Sequence, residues 1–298
     1  MRVLVTGASG MVGGTIATHL LEKGFEVIAL NRNPTLIKGL AQSVQEDISM
    51  ASLTERIINE IDPCDAIVHT AANMDKNSYN FDIIHTNCFG TQQLLNLAKI
   101  WGVNRFIFIS SVPVIGIPQV LPITEEHPTH PLTAYHASKL FGEYLVQIAA
   151  SNQLAGTILR LPSPVGPKMP DNRILSSFVK NSLVDMPLQL SGQGSRKQNY
   201  VDVRDVAVVV ENCLHRKISG IFNIAGKNCI SNLELACLCI QILKSSSKIL
   251  FTSSRDPEEG IIWDISIKKA EKYLEFNPQY NIENAIIALG SEYVAGIH

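Results

Sequence analysis

Apolar positions along the chain follow two alternating rhythms. Short runs rich in β-branched residues predict strands over 1–5, 26–30, 43–46, 66–69, 106–109 and 157–160. Between them the apolar residues recur at helical spacing, as Ile16, Ala17, Leu20 and Leu21 do in the stretch that ends at Lys23. Further helices are predicted over 53–60, 81–101 and 135–150. Repeated strand and helix with short links specify an α/β fold, a doubly wound parallel sheet covered on both faces. Ligands of such a sheet lie beyond the carboxyl ends of its strands. After residue 160 the alternation loosens. Pro162, Pro164, Pro167 and Pro170 mark a loop, and 174–184, 200–213, 221–225, 231–243 and 265–274 read as interleaved helices and short strands. The expected organisation is a dinucleotide-binding domain over 1–162 and a smaller α/β substrate cap, mainly 163–298. Segments near 200–226 return to the main sheet, so the boundary is discontinuous.

The link between the first strand and the first helix is Thr6-Gly7-Ala8-Ser9-Gly10-Met11-Val12-Gly13. In that context the glycines allow a tight turn, close approach of backbone amides to a pyrophosphate, and close helix packing. Gly7, Ser9, Gly10, Met11 and Val12 are the expected cofactor contacts. The second strand ends where an acidic residue normally meets the adenosine ribose, and this chain has Asn31 followed by Arg32. Without a carboxylate there is no repulsion of a 2′-phosphate, and a guanidinium stands beside it. The local chemistry therefore leans to NADP(H) over NAD(H). Arg32 is equally able to stack on adenine in either cofactor or to point to water. Thr70, Ala71 and Ala72, like Ser110 and Ser111, end strands with small residues that let a cofactor lie close to the backbone.

Tyr135 and Lys139 are four residues apart, one turn on a single helix face. Tyrosine holds its proton to a pKa of about 10. A lysine at about 4 Å and an effective dielectric of about 20 favours the phenolate by roughly 4 kcal/mol, or about 3 pKa units. The spacing alone is common, and a half-buried aromatic beside a solvated lysine satisfies it equally.

Several further motifs stand in order: Asp47-Ile48, His69-Thr70-Ala71-Ala72, Asn87 with Gly90-Thr91, Ile109-Ser110-Ser111, Arg160 through Pro164-Val165-Gly166, Tyr200 through Ala207, and Phe222-Asn223. With the glycine loop and the Tyr135–Lys139 pair, this set resembles the extended short-chain dehydrogenases/reductases, the epimerase/dehydratase group, over nearly the whole chain. The resemblance implies Ser111, Tyr135 and Lys139 as the catalytic residues, with Lys139 also on the nicotinamide ribose. It implies cofactor contacts at Asp47 near adenine and at Ile48, Thr70, Ala71, Ala72, Asn87 and Leu161. A hydride then moves between nicotinamide and a substrate carbon while Tyr135 passes a proton to or from its oxygen.

Departures from the pattern bear on the substrate. Dehydratases of the group resemble Thr-Asp-Glu where this chain has Ser111-Val112-Pro113, which argues against water elimination. Ser163 stands where sugar-nucleotide enzymes often place asparagine. Gln198 stands where they often place a diphosphate-binding arginine, with Arg196 two residues earlier. Both are expected substrate contacts together with Ser111. Three functions follow: a carbonyl or hydroxyl oxidoreductase, a sugar-nucleotide epimerase with retained NAD, and a non-catalytic NADP-sensing protein.

The formal charge of −2 and the absence of basic runs leave no footprint for nucleic acid. No apolar stretch nears the roughly 20 residues that span a bilayer. Six cysteines without a regular framework read as reduced thiols, with no zinc pattern, and the chain opens on strand residues with no signal peptide. The expected protein is cytoplasmic, acts on a small molecule without a metal, and pairs as a homodimer through the helices near 87–101 and 135–150.

Overall fold

The computed structural model describes residues 1–75, 77, 80–151 and 153–296. β1 (Arg2–Thr6) leads through the glycine loop into α1 (Met11–Glu22), β2 (Glu26–Asn31), β3 (Gln42–Gln45), α2 (Leu53–Glu60) and β4 (Ala66–His69). A continuous helical run follows, made of α3 (Asp82–Ile84), a π-helical turn (His85–Phe89) and α4 (Gly90–Trp101). β5 (Arg105–Ser111) then enters a 3₁₀ turn (Val112–Ile115), followed by α5 (Ala134–Ala149) and β6 (Ala155–Leu161). The rest comprises β7 (Ser163–Val165), α6 (Ile174–Leu183), β8 (Leu188–Leu190), β9 (Lys197–Asp202), α7 (Val203–His215) and β10 (Gly220–Asn223). β11 (Cys229–Ser231), α8 (Asn232–Ile242), β12 (Ile249–Phe251), α9 (Lys268–Leu274) and α10 (Ile282–Val294) complete it.

Seven strands pair in parallel in the order β10-β6-β5-β4-β1-β2-β3. The chain builds outward from β1 to β3, then restarts at β4 on the other side. The switch point between β1 and β4 opens a crevice at the carboxyl edge. One face of the sheet buries Ile16, Leu20, Val206, Val210 and Phe222, and the other buries Leu53, Ile57, Leu94, Phe106 and Phe108. A third core of Leu175, Phe178, Leu235 and Leu289 lies among α6, α8 and α10, in the part of the chain expected to form the cap. Truncating a side chain such as Phe106 or Phe178 to alanine costs about 3–5 kcal/mol.

Three local readings change. The proline loop contains β7, an edge strand of the sheet β11-β9-β7, where Pro164 removes no ladder bond that the sheet needs. The segment 200–213 begins inside β9 and becomes helix only at Val203. The long helix 81–101 carries a π turn, in which the Thr91 hydroxyl donates to the Asn87 carbonyl at 2.6 Å. Cys237 is exposed and Cys239 buried, as opposite sides of α8 require. Among the described residues no helix is long and apolar enough to cross a membrane.

Candidate active site

The glycine loop is shaped by what it excludes. Gly7 has φ +72°, and a Cβ there would lie 2.8 Å from the Ala71 backbone nitrogen and the Thr70 hydroxyl. A Cβ on Gly13 would come within 2.4 Å of the Gly7 carbonyl oxygen, so α1 packs on the loop only without a side chain. Gly10 is different, since its Cβ would meet nothing nearer than that oxygen at 3.4 Å. As the N-cap of α1 it brings no capping side chain, and the first turn holds no acid. The amides around Met11 and Val12 and the positive end of the helix are thus left for a pyrophosphate.

Ser9 N donates to Asn31 Oδ1 at 3.0 Å, while Asn31 Nδ2 is buried without a partner among the described residues. A buried unmet donor costs about 1–3 kcal/mol, which an acceptor on an adenosine ribose would relieve. Arg32 is exposed. Asp47 Oδ1 accepts from Ser49 N and Oγ at 2.9 and 2.8 Å, a closed turn at the end of β3. Ile48 is buried beside Gly90 and Leu161 lies in the main core, so the side chains of both serve packing. Thr70 N and Ala71 N both donate to Thr6 Oγ1 at 3.2 Å, and Thr70 Oγ1 donates to Thr6 O at 2.6 Å. These bonds fix the loop ending in Ala72 against the end of β1. The residues present fit a dinucleotide.

α5 starts at Thr133, whose hydroxyl accepts from His136 N at 3.1 Å. One turn separates Tyr135 from Lys139. Lys139 is 3% exposed, and its Nζ donates to Ile109 O at 2.8 Å and lies 4.8 Å from the Phe108 ring centroid. Further N–H groups of the ammonium remain for a ribose. The electrostatics differ from the sequence expectation. Burial pushes the Tyr135 phenol up to about 12, and the cation opposing that is Arg173, at the start of α6. Burial also brings Lys139 down to about 8, opposed by the Glu143 carboxylate. Lys139 Nζ is 6.0 Å from the Tyr135 ring centroid and turned toward β5, so it does not offset the desolvation of the phenol.

Asn87 sits in the π turn. Its Oδ1 accepts from Asn73 N at 2.7 Å, and its Nδ2 donates to Asn73 O at 2.9 Å and Ser138 Oγ at 2.8 Å. Ser138 Oγ donates to Tyr135 O at 2.7 Å. Asn87 therefore ties the loop after β4 to the first turn of α5 rather than offering a free polar group. The adjacent serines separate cleanly. Ser110 Oγ donates to Glu143 Oε1 at 2.5 Å in the core, whereas the Ser111 hydroxyl has no hydrogen-bond partner among the described residues. The free hydroxyl at the end of β5 is Ser111.

The cap contributes a polar wall. Ser163 of β7 pairs in register with Tyr200 of β9, next to Gln198. With its amide oriented to satisfy both atoms, Gln198 Nε2 donates to Ser163 Oγ at 3.3 Å and Oε1 accepts from Arg196 Nε and Nη2 at 3.1 Å. Arg196 is also held by Asp256 at 3.3 Å and Glu258 at 3.2 Å. Glu258 in turn opposes the fall that burial imposes on the His136 pKa. Glutamine at 198 therefore does not empty this wall of positive charge. Sequence reasoning missed Arg173, Asp256, Glu258 and His136, for which no motif gave a signal. It missed Glu143 too, although an acid four residues after Lys139 on an apolar helix face was visible.

A glycine loop at the switch point and a tyrosine–lysine helix beside a free serine define an enzyme site of the nicotinamide-dependent, extended short-chain dehydrogenase/reductase type. The sequence model of the NAD dependent epimerase/dehydratase family matches residues 3–225, and the chain belongs to that family. It is 30% identical over 322 residues to the UDP-glucose 4-epimerase of Corynebacterium glutamicum, covering 96% of this chain and 94% of the relative. The UDP-glucose 4-epimerase of Thermotoga maritima, solved with UDP-glucose, superposes over 100% of both chains with a TM-score of 0.91 at 22% identity. The UDP-glucuronic acid 4-epimerase of Bacillus cereus, solved with UDP-glucuronic acid and NAD, gives 0.86 at 25% identity, again over 100% of both chains.

Proposed function

We propose that this protein is a nucleotide-sugar 4-epimerase that keeps NAD bound through turnover, with Ser111, Tyr135 and Lys139 as its catalytic residues. The observation that carries the reading is the surroundings of Ser111. The residues that follow it form a 3₁₀ turn of Val112, Pro113, Val114 and Ile115, three of them buried in the core, so no acid or base stands there for water elimination. Proton transfer at one oxygen by Tyr135 is what remains, and epimerisation needs no more. Bound NAD would supply a hydride acceptor that later returns the hydride to the opposite face of the same carbon.

The chain's own groups do the rest. Tyr135 takes the proton of the sugar hydroxyl as the carbonyl forms and gives it back on reduction, while the Ser111 hydroxyl donates to that oxygen. Because burial favours the neutral phenol, the oxidising half depends on nearby cations, Lys139 from below and Arg173 from the cap. Arg196, steadied by Gln198, would hold the diphosphate, with Ser163 beside it. Asn31 Nδ2 would hold the adenosine ribose, and Asp47 would stand near adenine.

The lean toward NADP(H) rests on Asn31 and Arg32 alone. The solved Bacillus cereus relative carries NAD, and the retained cofactor of an epimerase fits NAD better. A reductase using NADPH is the second reading, favoured by the same Asn31–Arg32 pair. The two separate by experiment. Denaturing the purified protein should release NAD at near stoichiometry, and UDP-glucose and UDP-galactose should interconvert without added cofactor. An empty site that accepts NADPH and reduces a carbonyl substrate would favour the reductase.

A homodimer belongs to the same proposal. Phe141, Tyr144 and Ile148 form one exposed stripe on α5 at 51, 52 and 79%, beside exposed Phe89 and Ile100 near α4. A second copy of this surface would cover them. Six unpaired cysteines suit a reducing compartment, the cytoplasm.

A further inference from the structure

A cleft of about 860 Å³ lies between α8 and the segment 278–283, which leads into α10, with β9 and β11 beside it. That size is within the ~300–1,000 Å³ of small-molecule sites. Among the described residues no active-site side chain lines it: Ser111, Tyr135, Lys139, Ser163, Arg196 and Gln198 all stand elsewhere. α8 is apolar on two sides. Leu235, Ala236 and Cys239 enter the third core, while Leu233, Cys237 and Leu238 line the cleft, where Ile230 and Ile282 extend the apolar surface. A helix apolar on both sides belongs inside a protein, yet here one side opens on the cleft and leaves Cys237 exposed. Both lips are held without a ligand. On one, Gly226 N donates to Tyr200 O at 2.9 Å and to Asn199 Oδ1 at 2.8 Å, and Asn199 Nδ2 donates to Gly226 O at 2.9 Å. On the other, the Asp205 carboxylate accepts from Gln279 N and Tyr280 N at 2.9 and 3.0 Å.

The polar groups of the cleft select one kind of ligand. The Arg204 guanidinium, itself paired with Asp202, lies 3.8 Å from the Tyr280 ring centroid and covers one face, and Tyr280 stays 37% exposed at the cleft. Such a ring is fixed for stacking. The side-chain amides of Asn228 and Gln241 have no hydrogen-bond partner among the described residues, and neither has the hydroxyl of Tyr200, a residue only 8% exposed. Carboxamides match the donor and acceptor edges of a nucleobase, and a buried hydroxyl left unmet is costly. The charged lining residues are Glu234 and Glu283 against Lys227, so a phosphate is repelled. We propose that this cleft is a second ligand site and binds an uncharged nucleoside. The base stacks on Tyr280 and meets the carboxamides of Asn228 and Gln241, while a carbonyl or hydroxyl of the ligand satisfies Tyr200.

The test uses the full chain as purified, with Cys237 as the reporter of the cleft. Alkylation of Cys237 by iodoacetamide is followed by peptide mass, which separates it from the other cysteines. Occupancy slows that reaction by the factor 1 + [L]/Kd, about tenfold at roughly ten times Kd. Uridine or adenosine should give this protection, with UMP weaker than uridine and UDP weakest, because each phosphate meets Glu234 and Glu283. An active site that holds a diphosphate gives the reverse order. No protection by either nucleoside at millimolar concentration, or protection by UDP stronger than by uridine, would overturn the proposal. Tyr280→Ala removes the stacking ring and should abolish the protection while leaving the rate without nucleoside as it was. Should that variant fail to fold, Gln241→Trp, on the exposed side of α8, fills the mouth of the cleft and should remove the nucleoside effect as well. Protection that survives in the folded variant would place the nucleoside elsewhere and overturn the proposal.

Discussion

At the carboxyl edge of the main sheet, the site is held by backbone and by groups that cannot change without disturbing the fold. Gly7 and Gly13 have no space for a methyl group, Thr6 anchors the loop at Thr70 and Ala71, and Asn87 and Glu143 lock α5 in place. The wall of the cap is built otherwise. Ser163, Arg196, Gln198, Asp256 and Glu258 come from three separate stretches of chain and hold one another through side chains. The contrast shows where change is cheap. On the proposed mechanism the edge that would carry hydride and proton chemistry is fixed, while the wall holds glutamine at 198 with Arg196 beside it on the same network to supply the charge.

If that division is right, substitutions on the two sides should fail in different ways. The largest effect belongs to Tyr135→Phe, which removes one hydroxyl and leaves the ring. Turnover should fall by about 10² to 10⁴ with NADH affinity nearly unchanged, measured by steady-state rates and fluorescence titration. Full turnover in this variant would remove α5 from the chemistry. Lys139→Met should lower turnover and NADH affinity together, since one ammonium serves both. On the cap side Arg196→Ala should raise KM about 10- to 100-fold for a nucleotide sugar, a charge-assisted contact of about 1.5–3 kcal/mol, and change kcat little. A drop in kcat with KM preserved would place Arg196 at the reacting carbon and erase the contrast. The smallest effect on chemistry is expected for Ile148→Glu, which puts a charge into the exposed α5 stripe. Light scattering should show a monomer where the natural chain is a dimer, and a monomeric natural chain would contradict the homodimer.

How much of this could be read beforehand divides along the same line. The edge was legible because its residues are local: a strand, a glycine loop and a helix fall in sequence order, and the helix spacing alone puts Tyr135 and Lys139 on one face. Even there the sequence misled on charge. Spacing shows that Lys139 is one turn from Tyr135, but not that its ammonium turns to the Ile109 carbonyl or that burial pushes the phenol up with Arg173 as the opposing cation. The Ser110–Ser111 choice was made on motif position, and spacing gave no sign that Glu143 engages the first serine. The cap was barely legible. β7 hid among prolines, and Asp256, Glu258 and Arg173 reach the site only through long-range packing that no periodicity marks.

The central claim is that a retained NAD would take and return a hydride at one sugar carbon while Tyr135 moves the proton of its oxygen. It is tested most directly with a nucleotide sugar deuterated at C4, incubated with the purified protein without added cofactor. The account predicts that the epimerised product keeps its deuterium at C4, with none in solvent and none in free NADH. Loss of the label to water, or its accumulation in released cofactor, would contradict it.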